Sequence, residues 1–177
     1  MNGTQQELNQ HPVWSVYDEL RTARLNVKYL QFEIGRLKFF DRWSEVIIAV
    51  ATTSSVGSFW FLQSTVGAQF WKTAGAIAVV LSIIRPILKF ADQIQAKEKL
   101  LTSYCVLDHD LHCICMEIRH RQKYDNELHK GFLESMNRKA ELVKANTHSD
   151  VKPRLRKKCE EIVLGELPMA SFYVPES

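Results

Sequence analysis

The sequence predicts an all-α fold: an integral membrane protein with a two-helix transmembrane hairpin and long, coiled-coil-like cytoplasmic helices. Three observations carry that expectation. Residues 46–71 contain no charged side chain, and after Lys72 the run 73–84 has none either. A bilayer crossing takes about 20 mostly apolar residues, and 43–62 and 70–90 each supply that length around the small polar turn 63–69. The flanking segments carry apolar residues at alternating spacings of three and four, the mark of a packed helix seam. The alternative is a chain that shields this hairpin within its own folds, which a domain this small does poorly.

Taken in order, residues 1–12 form a polar lead expected to be disordered. Residues 13–42 read as an amphipathic cytoplasmic helix with the track Val13, Val16, Leu20, Ala23, Val27, Leu30, Ile34 and Leu37, while Asp18, Glu19, Arg21, Arg24 and Lys28 fill the other faces. The first span, 43–62, is rich in hydroxyls (Thr52, Thr53, Ser54, Ser55, Ser58). At about 100° per residue, Ala51, Ser54, Ser55 and Ser58 share one face. The second span, 70–90, repeats small residues at Ala74, Ala78 and Ser82, a pattern that lets helices approach closely. These faces either pack the spans together or line a water-filled path. Arg85 and Pro86 close the hairpin and form a joint, because proline removes a helix donor.

Beyond the joint, 91–145 reads as one long helix with no proline and a single glycine, Gly131. Its seam runs Leu100, Tyr104, Leu107, Leu111, Ile114, Ile118, slips phase near Arg121, and resumes at Tyr124, Leu128, Phe132 and Met136. Such a slip marks a change of coiling or a bend. Seams this long, on both Leu20–Val27–Leu30–Ile34 and Leu100–Leu107–Leu111–Ile114–Ile118, predict pairing between subunits. The remainder, 146–177, comprises a loop, a short basic helix and a tail. Ser149 or Asp150 is placed to cap the helix and Pro153 falls in its first turn. Arg154, Arg156, Lys157 and Lys158 are candidate contacts for anionic lipid or an anionic ligand. The tail, with Pro168, Phe172, Tyr173 and Pro175, is expected to dock in extended form on the helices.

Basic residues set the expected orientation: Lys28, Arg36, Lys38 and Arg42 precede the hairpin, and Arg85, Lys89, Lys97 and Lys99 follow it. By the positive-inside rule both termini are cytoplasmic, with Trp43, Trp60 and Trp71 near the interfaces. No apolar leader occurs in the first forty residues, so the first span would be its own insertion signal. The chain has 177 residues, 46% hydrophobic and 24% charged, with a formal net charge of +3. That mild charge gives no reason to expect nucleic acid. Its mean hydropathy of −0.18 is too polar for a protein made only of spans. No phosphate loop, nucleophile elbow or HExxH is present, and neither an enzyme nor a cofactor is expected.

Four cysteines, at 105, 113, 115 and 159, lack zinc-finger spacing and read as free thiols. Cys105, His109 and Cys113 recur at fourfold spacing beside His112, so a zinc or redox site is a candidate. One helix offers only two or three such ligands, and the plainer reading is a semi-polar helix contact.

The layout resembles the SLATT proteins, two-span membrane effectors of bacterial nucleotide-signalling defence. The likeness rests on the helix before the first span, the tight hairpin, and the segment from Arg85 to Lys99 leading into a long helix. It rests too on phrases such as Glu98-Lys-Leu-Leu-Thr-Ser-Tyr104, Gln122-Lys-Tyr-Asp125 and Glu166-Leu-Pro-Met-Ala-Ser-Phe-Tyr-Val-Pro-Glu176. The resemblance implies a homo-oligomeric inner-membrane effector that forms or gates a pore in antiphage defence. This chain carries no fused sensing domain, which implies a separate sensor or nucleotide synthase, and a cyclic nucleotide as the signal. The rival expectation is a membrane-anchored coiled-coil scaffold that recruits a cytoplasmic partner.

Overall fold

The computed structural model describes residues 11–61, 76–77, 79–80, 82–83, 89–145 and 151–175, with the backbone alone at 51–61 and 145. Among the described residues there are four α-helices and no strand: α1 (Val13–Phe61), α2 (Phe90–Arg121), α3 (Asn126–Ala145) and α4 (Pro153–Glu166), followed by a 3-10 turn at Met169–Ser171. The chain divides into two units, one of Met1–Gln31 with Glu98–Ser177 and the other of Phe32–Lys97.

In the first unit, α1 begins where Pro12 and His11 supply its early acceptors. The Trp14 and Ser15 amides donate to the His11 and Pro12 carbonyls, and the Val13 amide donates to His11 Nδ1 at 3.3 Å. The expected inner track is realised: Val13, Val16, Leu20, Ala23, Val27 and Leu30 are all buried. α2 runs antiparallel to α1, placing Leu107, Leu111 and Tyr104 in one cluster with Leu20, Ala23, Val27 and Leu30. Ile118 joins Val13, Val16, Tyr17 and Leu128 in a second cluster. A partly buried ion pair, Arg24 Nε to Asp108 Oδ1 at 2.8 Å, fixes the register between α1 and α2. That hydrogen bond holds the Arg24 guanidinium still more firmly protonated than usual.

The phase slip near Arg121 becomes a chain reversal, so the expected continuous helix over 91–145 is two helices. Gln122 adopts φ 53°, a left-handed conformation that stops α2. Asp125 then caps α3, its carboxylate accepting the Leu128 amide at 3.1 Å. That bond holds the Asp125 carboxyl below the usual carboxylate range. α3 folds back along α2, bringing Arg138 to Asp110, and lies beside α1, bringing Lys139 to Glu19. α4 lies antiparallel to α1: its start meets Tyr29, whose hydroxyl accepts the Lys152 amide at 3.0 Å, and its end meets Arg24 and Lys28 through Glu166. Lys152 is the N-cap of α4, with no side-chain cap, and Pro153 opens the helix. Ser149 and Asp150, expected to cap it, lie outside the described residues.

Two further expectations are corrected. Among the described residues no helix is long and apolar enough to cross a membrane. This overturns the transmembrane hairpin, and with it the inner-membrane location and its orientation. The physical reason is plain in the first expected span, where Thr52, Thr53, Ser54, Ser55, Gly57 and Ser58 dilute the apolar run and Glu45 sits inside it. Most of the second, 70–90, lies outside the described residues. Of the residues expected to form a subunit seam, Leu20, Val27, Leu30, Leu107, Leu111 and Ile118 are buried within one chain, with Leu100 and Ile114 partly buried against them.

Candidate functional site

Two surfaces stand out, one in each unit. In the first unit the tail, as expected, lies extended on the bundle after its 3-10 turn. Its anchors are side-chain donors of the helices that reach main-chain carbonyls. Arg21 Nε and Nη2 donate to the Leu167 carbonyl at 3.1 and 2.7 Å, Arg119 Nη2 to that of Ser171 at 2.8 Å, and the Tyr17 hydroxyl to that of Tyr173 at 2.5 Å. Phe172 stacks on Tyr17 with centroids 4.1 Å apart and an interplanar angle of 17°, while the Arg21 guanidinium covers its ring at 4.9 Å. Under the tail lies a cavity of about 220 Å³ lined by Leu20, His112, Cys115, Met116 and the tail itself. Burial pushes the Tyr17 phenol and the Cys115 thiol each up to about 12, so both stay protonated at neutral pH.

The second unit shows the reverse of a core. Along α1, Phe39, Trp43, Val46 and Val50 are spaced 4-3-4 and are exposed at 58%, 51%, 46% and 56%. They lie two positions out of step with the inner track at Ile34 and Leu37, about 200° around the helix, so they form an outer seam. Phe40 and Ile47 widen it, and Phe39 meets Trp43 at 5.8 Å and Phe40 at 6.0 Å. The inner side here is polar as well as apolar: buried Glu33 pairs with Lys97 at 2.6 Å, and buried Ser44 donates to the Asp41 carbonyl. Ile77, Val79, Val80 and Ile83 are also exposed.

The residues singled out in the sequence are not gathered into one site. Ala51, Ser54, Ser55 and Ser58 lie in the last turns of α1, where only the backbone is described. Ala74, Ala78, Arg85 and Pro86 lie outside the described residues, so the second small-residue face and the joint cannot be placed on the fold. Ser82 is exposed and donates to the Val79 carbonyl at 2.8 Å. Ile34 is buried within the second unit. Arg154, Arg156, Lys157 and Lys158 are exposed on α4, and Arg156 pairs with Glu160 one turn on. Cys105, His109 and Cys113 line an exposed edge of α2, where His109 Nε2 and Cys113 Sγ are 3.6 Å apart. Among the described residues no group of three or more His, Cys, Asp or Glu side chains is arranged to hold a metal ion.

The docking of the tail was legible in the sequence, but its groove and the outer seam were not. Trp43, Val46 and Val50 fall inside the expected first span, which hid the seam; its 4-3-4 spacing was the available signal. Tyr17, Arg21 and Arg119 gave none, since their partners are main-chain atoms far away in sequence. No family model, no curated protein and no solved structure matches the chain. The likeness to the two-span effectors therefore rests on the residues quoted for it.

Proposed function

We propose that the chain is a self-assembling helical scaffold, in which copies join through the outer seam of α1 and each displays its four-helix body for a partner to bind. The observation that carries this reading is the exposed, heptad-spaced face of Phe39, Trp43 and Val46 with Ile47 beside it. Contiguous exposed apolar patches of this kind mark interaction sites, and a 4-3-4 repeat is matched best by a second helix with the same repeat. A second copy brings that repeat in the same register. The inner seams are already filled within one chain, which leaves the outer seam as the face for pairing. The pore reading depended on two crossings and is not carried further. A separate sensor or nucleotide synthase is the partner class that the family resemblance implies for such a scaffold.

Replacing Trp43 and Ile47 together by glutamate places charge on that face without touching the four-helix body. Sedimentation should then show the unaltered chain as an oligomer and the W43E/I47E chain as a monomer of unchanged helix content. An unaltered chain that sediments as a monomer at all concentrations overturns the proposal.

A further inference from the structure

We infer that the groove holding residues 167–175 is a receptor for a peptide that folds as one 3-10 turn with extended ends, and that the tail of a second copy enters it in place of the chain's own. The inference stands apart from pairing through the outer seam. Four features of the tail carry it. The donors from Arg21, Arg119 and Tyr17 all meet main-chain carbonyls, so recognition depends on the path of the tail's backbone and not on the covalent link to α4. Phe172 is the chief side-chain anchor, in contact with the Tyr17 ring and the Arg21 guanidinium, and Leu167 and Tyr173 pack beside it. The segment turns away from α4 at its end: the Leu167 amide still donates to the Val163 carbonyl at 2.8 Å, but Leu167 has left helical geometry at φ −125°, ψ 67°, and Pro168 is extended. Beneath it a cavity of about 220 Å³ remains, lined mainly by apolar atoms, so the tail covers the groove without filling it.

The chemistry of the occupant is thus set by the tail itself: a proline, one 3-10 turn, and an aromatic residue four positions after the proline. A second copy supplies that segment with the same carbonyls for Arg21, Arg119 and Tyr17 and the same Phe172 ring, which is the condition for exchange of an element between protomers. The chain's own tail competes at a high effective concentration, so the foreign segment enters when the resident one is removed or weakened.

The test uses a fluorescent peptide of residues 167–175 and a chain ending at Glu166. Anisotropy should show the peptide binding the shortened chain, with the intact chain weaker by about tenfold or more. A Phe172→Ala peptide, or an Arg119→Ala shortened chain, should also lose about tenfold. A folded shortened chain that ignores the peptide overturns the receptor, as does an intact chain that binds it equally well. If the shortened chain loses its helix content, the intact F172A chain carries the test. It should take up the unaltered peptide better than the natural chain does, and no gain overturns the receptor. The second-copy occupant is read separately, with Trp43→Glu and Ile47→Glu in both components to silence the outer seam. The shortened chain should form a one-to-one pair with an intact R119A chain in native mass spectrometry. Absence of that pair, with both components folded, overturns the exchange.

Discussion

Residues 13–31 and 32–50 are consecutive stretches of one helix, and they dispose of their apolar side chains in opposite ways. In the first stretch Val13, Val16, Leu20, Ala23, Val27 and Leu30 point into the four-helix body and are covered by α2 and α3. In the second, the larger side chains Phe39, Phe40, Trp43 and Val46 lie on the outside. The difference is one of phase more than of composition. A seam is buried where other helices of the same chain present matching positions, and stays exposed where its heptad falls out of phase with them. Under the proposed function, one helix closes a fold at its start and offers an interface further on.

The comparison is broken most forcefully from inside. Leu111 is fully buried against the α1 track, so Leu111→Ala should cost about 3 kcal/mol in a denaturant titration. Val46→Ala on the outer seam should change the stability of the dissociated chain by less than about 0.5 kcal/mol. Arg24→Met comes next. It leaves the Asp108 carboxylate, only 15% exposed, without its guanidinium, and should cost about 2 kcal/mol in the same titration. Adding Asp108→Leu should restore part of that loss.

A pH scan sharpens the contrast at the tail. Burial raises the Tyr17 phenol from 10.0 to about 12. A group whose folded value is raised contributes stability in full below its unfolded value and loses it as pH climbs to the folded one. Thermal melts should therefore show the melting temperature falling between pH 10 and pH 12, and falling less in a Tyr17→Phe chain. The smallest expected effect is a gain. A methyl group built at Gly131, inside α3, would meet Ile114 Cδ1 at 3.9 Å, an ordinary contact. Gly131→Ala should stabilise the body by about 0.5–1 kcal/mol in a thermal or denaturant melt.

How far the fold could be read in advance follows from which forces are local. The inner track of α1, the seam of α2 and the phase slip at Arg121 depend on spacing along one helix, and all three are legible in the sequence. The reversal at Gln122–Asp125 showed only as a slip, because neither residue is a glycine or proline to announce a turn. What covers each seam is a property of the assembled chain. The same 3-4 spacing suits a second subunit or a neighbouring helix, and here α2 and α3 cover most of the inner track within one chain. The apolar run after Trp43 misled for a related reason: length without charge suggested a crossing, whereas the hydroxyls and Gly57 lower its apolarity. The tail groove is the least legible feature, since Arg21 and Arg119 are ordinary surface arginines until the carbonyls of Leu167 and Ser171 reach them.

The account turns on whether the outer face of α1 is covered by another copy, and thiol labelling reads this directly. In a background with Cys105 and Cys113 changed to serine, a cysteine placed at Val46 should react with a maleimide about tenfold more slowly once the chain is concentrated enough to associate. A cysteine at exposed Val106 of the body should react at one rate throughout. Equal labelling of the Val46→Cys chain at every concentration would contradict the scaffold.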